Sequence, residues 1–127
     1  MIAVIFEVWP AEGQRQHYLD LAAALKADLQ GRDGFISVER FESLTEPGKL
    51  LSLSIWRDEE AVRAWRCLPS HRVAQGEGRG KGGRGKDGRG GVFRDYRLRV
   101  ASILRDYGLE QRDEAPDDSR AVHPPVV

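Results

Sequence analysis

Trp65 and His71 stand six positions apart at the end of the run DEEAVRAWRCLPSHR, residues 58–72, and are the residue types here best suited to chemistry on an aromatic ligand. An indole supplies a wide flat apolar wall, and an imidazole is the side chain whose charge changes near neutral pH. A Trp on a helix face with a His at the helix exit can therefore enclose a ring and move a proton from it. The competing reading is plain architecture, with Trp65 packed in the core and His71 capping an interrupted helix. Trp56, at the end of the preceding apolar run, is a second candidate wall.

Glu7 lies among apolar residues in MIAVIFEVWP. A carboxylate facing a cavity there would hold its proton to higher pH and share base duty. Pairing with Arg97 or Arg99 is the preferred alternative. His17, among polar neighbours, reads as a surface residue, and His123 sits in a Pro-rich terminal segment.

These residues need elements to hold them. Residues 2–9 alternate, with Ile2, Val4, Phe6 and Val8 on one face and Ala3, Ile5, Glu7 and Trp9 on the other, so this strand needs cover on both sides. Tyr18, Leu21, Ala22, Leu25 and Leu29 recur at helical spacing, bracketed by Gly31 and Gly34. Phe35–Phe41 and Leu50–Trp56 read as strands joined through the turn sequence TEPG, residues 45–48. Asp58 is an expected N-cap, with Glu59 and Glu60 in the first turn and Ala61, Val62 and Trp65 on the buried stripe. Pro69 interrupts that helix, and a second short helical piece is expected to carry His71 to Gln75. A last strand spans residues 93–104, with Tyr96, Leu98 and Val100 alternating against Asp95, Arg97 and Arg99.

The order strand, helix, strand, strand, helix, strand is that of a ferredoxin-like α+β fold, βαββαβ, a four-stranded antiparallel sheet with two helices on one face. The other face would be left bare. Two sheets meeting face to face in a homodimer would cover Ala3, Ile5 and Trp9.

Composition narrows the rest. The chain has 127 residues, one domain's worth, with 20 basic and 20 acidic residues, so it is no general polyanion binder. The single Cys67 allows no internal disulfide and fits a reducing compartment; no Cys and His spacing matches a zinc site. No apolar run approaches a membrane span and no secretory leader is evident, which makes a cytoplasmic protein the expectation. The expected domain is 1–108, carrying a flexible Gly/Arg-rich insertion at 76–91, followed by a disordered tail at 109–127. The insertion holds nine of the 14 glycines and five basic residues but no aromatic to stack a base. Nucleic-acid binding is accordingly not expected, and the GxGxxG match inside it fails because no strand precedes it and no helix follows.

The Trp on the second helix, the triplet Ser70, His71, Arg72, and the pair Phe93 and Tyr96 in the last strand resemble the pattern of the antibiotic biosynthesis monooxygenase family. The resemblance covers Met1 to about Gly108 with the glycine insertion set aside. It implies a dimeric α+β barrel and a monooxygenase that oxidises a small phenolic, anthrone or quinol substrate with O2, needing neither flavin nor metal. Oxygen in its triplet ground state reacts slowly with closed-shell molecules, so the substrate must lose a proton and become the electron donor. The implied roles are His71 as base, Arg72 or Tyr96 as oxyanion partner, and Trp65 and Trp56 as walls, with Phe6 and Glu7 among the pocket residues. A sister branch degrades haem with a His ligand, an Asn on the first strand and a Trp. Here Gln75 holds the expected ligand position and the first strand offers Glu7 but no Asn, so haem chemistry ranks second. A non-catalytic dimer that sequesters an apolar ligand is the third reading.

Overall fold

A computed structural model describes residues 1–67 and 91–118. His71, Arg72, Gln75, His123 and the insertion up to Gly90 lie outside the described residues. The elements are β1 (Ile2–Pro10), α1 (Arg15–Leu29), β2 (Phe35–Glu42), β3 (Leu50–Trp56), α2 (Glu59–Arg66) and β4 (Phe93–Ser102). The order and the element types are those expected from the sequence. The strands pair antiparallel in the order β2-β3-β1-β4, which makes this a ferredoxin-like α+β fold.

Register divides the side chains between two faces. Directly opposed residues of an antiparallel pair share a face. Ile2, Val4, Phe6 and Val8 therefore stand with Trp56, Ser54, Ser52 and Leu50 of β3 and with Ser102, Val100, Leu98 and Tyr96 of β4. This is the helix-side face, because Val4 packs with Leu29, Trp56, Ala61 and Val62, and Val8 packs with Tyr18, Ala22, Leu50 and Val92. Two cores thus sit at opposite ends of β1 under the helices.

Local chemistry fixes α2. Asp58 Oδ1 accepts the backbone N–H of Ala61 at 2.9 Å, the N-cap bond expected of a short acceptor, while Arg57 ties the same corner to the turn before β2 through a bidentate pair with Asp33 at 2.9 Å and also bonds Asp58 at 2.8 Å. Gly34 has φ +81, and a Cβ there would run into the Cβ of Ala61. Its missing side chain is what lets α2 close onto the start of β2.

The last strand stops at Ser102, two residues before the end the alternation suggests, because its partner runs out at Ile2. Ile103 N–H still donates to the Met1 carbonyl at 2.9 Å. Residues 109–118, which the sequence pattern groups with the tail, include a turn in which Gly108 N–H donates to the Gln111 carbonyl at 2.7 Å and Arg112 Nη1 to the Gly108 carbonyl at 2.9 Å.

Candidate active site

The helix-side face carries two aromatic groups separated along β1. At one end Trp56, fully buried on β3, stands 5.4 Å from the ring of Trp65 on α2 and 5.4 Å from Phe35 on β2. Its indole Nε1 donates to Ser54 Oγ at 2.9 Å, so its polar edge is satisfied within the core. At the other end Phe6 lies 5.5 Å from Phe93 and 5.8 Å from Tyr96, and Tyr18 of α1 closes against Phe93 at 5.8 Å. Ile2, opposite Trp56, and Phe6 are four residues apart on one strand, about 13 Å.

Between these groups β4 presents apolar side chains that no described element covers. Tyr96, Leu98 and Val100 are 42%, 44% and 47% exposed, although their register places them on the helix side with Val8, Phe6 and Val4. The physical reason is that α2 ends at Arg66 and β4 is the sheet edge. The result is an exposed apolar strip with aromatic groups at both ends, a trough in the sense of its apolar lining, whose side chains suit a ring-bearing ligand.

The sequence candidates divide accordingly. Trp65, Phe6 and Tyr96 line the trough or its ends. Trp56 belongs to the buried core, where its ring packs against Trp65. Glu7 is not brought there at all: it lies on the opposite sheet face, paired with Arg99 at 3.2 Å and Lys49 at 3.4 Å. The pairing with an arginine of the last strand agrees with the sequence, and alternation is what puts Phe6 and Glu7 on opposite faces. His17 is exposed on α1 with Nδ1 3.2 Å from Gln14 Oε1, far from any role at the trough. His71 and Arg72 lie outside the described residues.

Two polar groups join this layer that motif spacing did not single out. Tyr18 is 5% exposed; burial pushes its phenol above the usual range, and the neighbouring Arg40 guanidinium draws it partly back. Arg40 of β2 shares a row with Ser52, Phe6 and Leu98. Only the pairing register shows this.

No group of His, Cys, Asp and Glu able to hold a metal occurs among the described residues. No described helix is long and apolar enough to cross a membrane.

The sequence profile of the antibiotic biosynthesis monooxygenase family matches residues 1–77. The chain belongs to the antibiotic biosynthesis monooxygenase family. Over 103 residues it is 43% identical to a protein named jasmonate monooxygenase ABM from Pyricularia oryzae; the match takes 81% of this chain and 43% of that protein, so the chain spans less than half the length of this curated relative. Among solved structures it resembles SnoaB from Streptomyces nogalater, a cofactor-independent oxygenase, with TM-score 0.63, 10% identity, and coverage of 83% of this chain and 94% of that one. It also resembles MhuD, a heme-degrader from Mycobacterium tuberculosis, with TM-score 0.59, 17% identity, and coverage of 85% of this chain and all of that one. At these identities the two structures establish the fold, and the fold alone does not choose between their chemistries.

Proposed function

We propose that this chain is a cofactor-independent monooxygenase acting on a small ring-bearing substrate of phenolic, anthrone or quinol type. The observation that carries the reading is the apolar trough between the Trp65 group and the Phe6, Phe93, Tyr96 group. The family and the monooxygenase named among its relatives support it.

The chemistry asked of the protein is modest. Loss of a proton turns the substrate into an electron-rich anion, which gives one electron to O2; recombination forms a C–O bond, and loss of water leaves the new carbonyl. For a methylene substrate the balance is CH2 + O2 giving C=O + H2O, with all four electrons taken up by O2 drawn from the substrate and the proton first lost returned to form the water. The apolar side chains of the trough hold the ring, Tyr96 offers a hydroxyl at the edge, and His71 is the proposed base.

The same reading makes the protein a homodimer in the cytoplasm. Support comes from the sheet face away from the helices, where Ile5, Trp9, Leu51, Leu53 and Ile55 form an apolar surface that no described element covers. A second copy seated there would close the barrel.

The test is oxygen uptake by the purified chain with a panel of anthrones, hydroquinones and jasmonate, beside Tyr96→Phe, His71→Ala and a protein-free blank. Uptake above blank that falls at least tenfold in His71→Ala is the expected result. Uptake at the blank rate with every substrate would overturn the catalytic reading, and binding of the same compounds without turnover would leave a sequestering module.

A further inference from the structure

Arg40 is a cation that no carboxylate among the described residues pairs with. It stands on β2 on the helix-side face, in a row that continues through Ser52 and Phe6 to Leu98, each strand about 4.8 Å from the next. Its Nε is sealed from solvent with no hydrogen-bond partner, and Nη2 makes one long bond, 3.4 Å, to the Ala22 carbonyl in the middle of α1. Its carboxylate neighbours along β2 are engaged or turned away: Glu42 pairs with Arg15 at 3.7 Å, and Glu39 opposes Leu53 on the other sheet face. No carboxylate pairs with Arg40 among the described residues.

The polar group beside it is the hydroxyl of Tyr18. That phenol is buried, and its ring edge meets Phe93, a member of the aromatic group that ends the trough. Ser52, on the same row, adds a third hydroxyl-bearing or cationic side chain next to Phe6. Leaving part of a guanidinium desolvated and unpaired is costly, and a planar donor fork matches a carboxylate in shape and charge. One end of the row is thus cationic and rich in donors while the other is apolar.

We propose that Arg40 and Tyr18 form an anion subsite that receives the carboxylate of an amphipathic, ring-bearing ligand whose apolar body lies over Phe6 and Leu98. The inference rests on the reading of the trough as the substrate site, and it narrows the substrate class to organic carboxylates. A permanent carboxylate is favoured over an oxyanion formed during reaction because Arg40 already lacks a carboxylate partner among the described residues of the resting protein.

The probe pair is 2-naphthoate and its neutral methyl ester, titrated calorimetrically into the full chain without oxygen turnover. The chain is expected to bind the acid at least tenfold more tightly than the ester, as a charge-assisted contact warrants. Arg40→Gln should abolish that preference, Arg40→Lys should recover part of it, and Tyr18→Phe should reduce it severalfold. Unchanged ester affinity in each variant would show that the fold and the apolar part of the site survive. The inference is overturned if the wild-type chain binds neither probe, if it does not distinguish them, or if the preference survives in Arg40→Gln. Because these readouts involve no oxidation, silence in the oxygen assay with a positive result here would sink the catalytic reading alone.

Discussion

At the residue scale the most constrained position is Gly34. Its φ of +81 disfavours any side chain, and its missing Cβ is the space taken by Ala61 of α2. Gly31 has almost the same φ, +79, but nothing within 4 Å of a built Cβ. Comparing the two alanine variants separates backbone strain from collision. Gly31→Ala is expected to cost about 1 kcal/mol and Gly34→Ala about 2 to 4 kcal/mol by urea denaturation; equal losses would show that α2 can move aside. Tyr18 offers a second test at this scale. Burial raises its pKa and Arg40 opposes the rise, so Arg40→Gln should move the Tyr18 titration to still higher pH, followed through the ring carbon resonance of labelled tyrosine. A downward or absent shift would separate the two side chains. None of this is legible from spacing: Tyr18 reads as one more apolar helix position, and Arg40 as a strand charge indistinguishable from those facing water.

At the scale of elements, α2 is held by its cap and by the Arg57 corner. Asp58 accepts from Arg57 and from the Ala61 backbone N–H, and these donors hold its carboxyl below the ordinary value of 3.8. The sign follows from linkage: a depressed carboxyl stabilises the fold above its unfolded pKa and loses that contribution as pH falls through the folded one. Asp58→Ala should therefore lower Tm at pH 7, and the gap from the wild-type chain should shrink as pH is taken below 3.8. A gap that persists undiminished at pH 2 would assign the effect to something other than the ionised cap. The sequence made this element readable, because a short acceptor followed by acidic residues and an apolar stripe is a local signal. It could not show how little of β4 the helix covers, since that depends on where α2 crosses the sheet.

At the scale of the molecule the proposed homodimer rests on the open face of the sheet. Leu53 sits at the centre of that face, opposite Ile5 on one side and Glu39 on the other. If two copies meet there, Leu53→Glu places a carboxylate in the middle of each surface and should convert a dimer to a monomer at micromolar concentration in sedimentation experiments. A wild-type monomer under the same conditions would remove the barrel from the proposal. The near edge is already charged, with Glu7 between Arg99 and Lys49 and the Lys49 ammonium 5.0 Å from the Trp9 ring. Here the polar end of the face is organised within one copy before any partner arrives.

The sequence by itself determined the element order, the turn at residues 45–48, the cap at Asp58 and the alternation that puts Phe6 and Glu7 on opposite sides of one strand. These follow from interactions between residues near one another in the chain, where periodicity and side-chain type are sufficient. Only the tertiary structure decided which of those two faces meets the helices. It also decided that Trp56 is core and Trp65 its partner, that Leu98 beside Phe6 and Val100 beside Val4 are exposed, and that Arg40 shares the row of Phe6 and Leu98. Each of these depends on strand register and helix placement, which are fixed by contacts between distant segments and therefore leave no local signature.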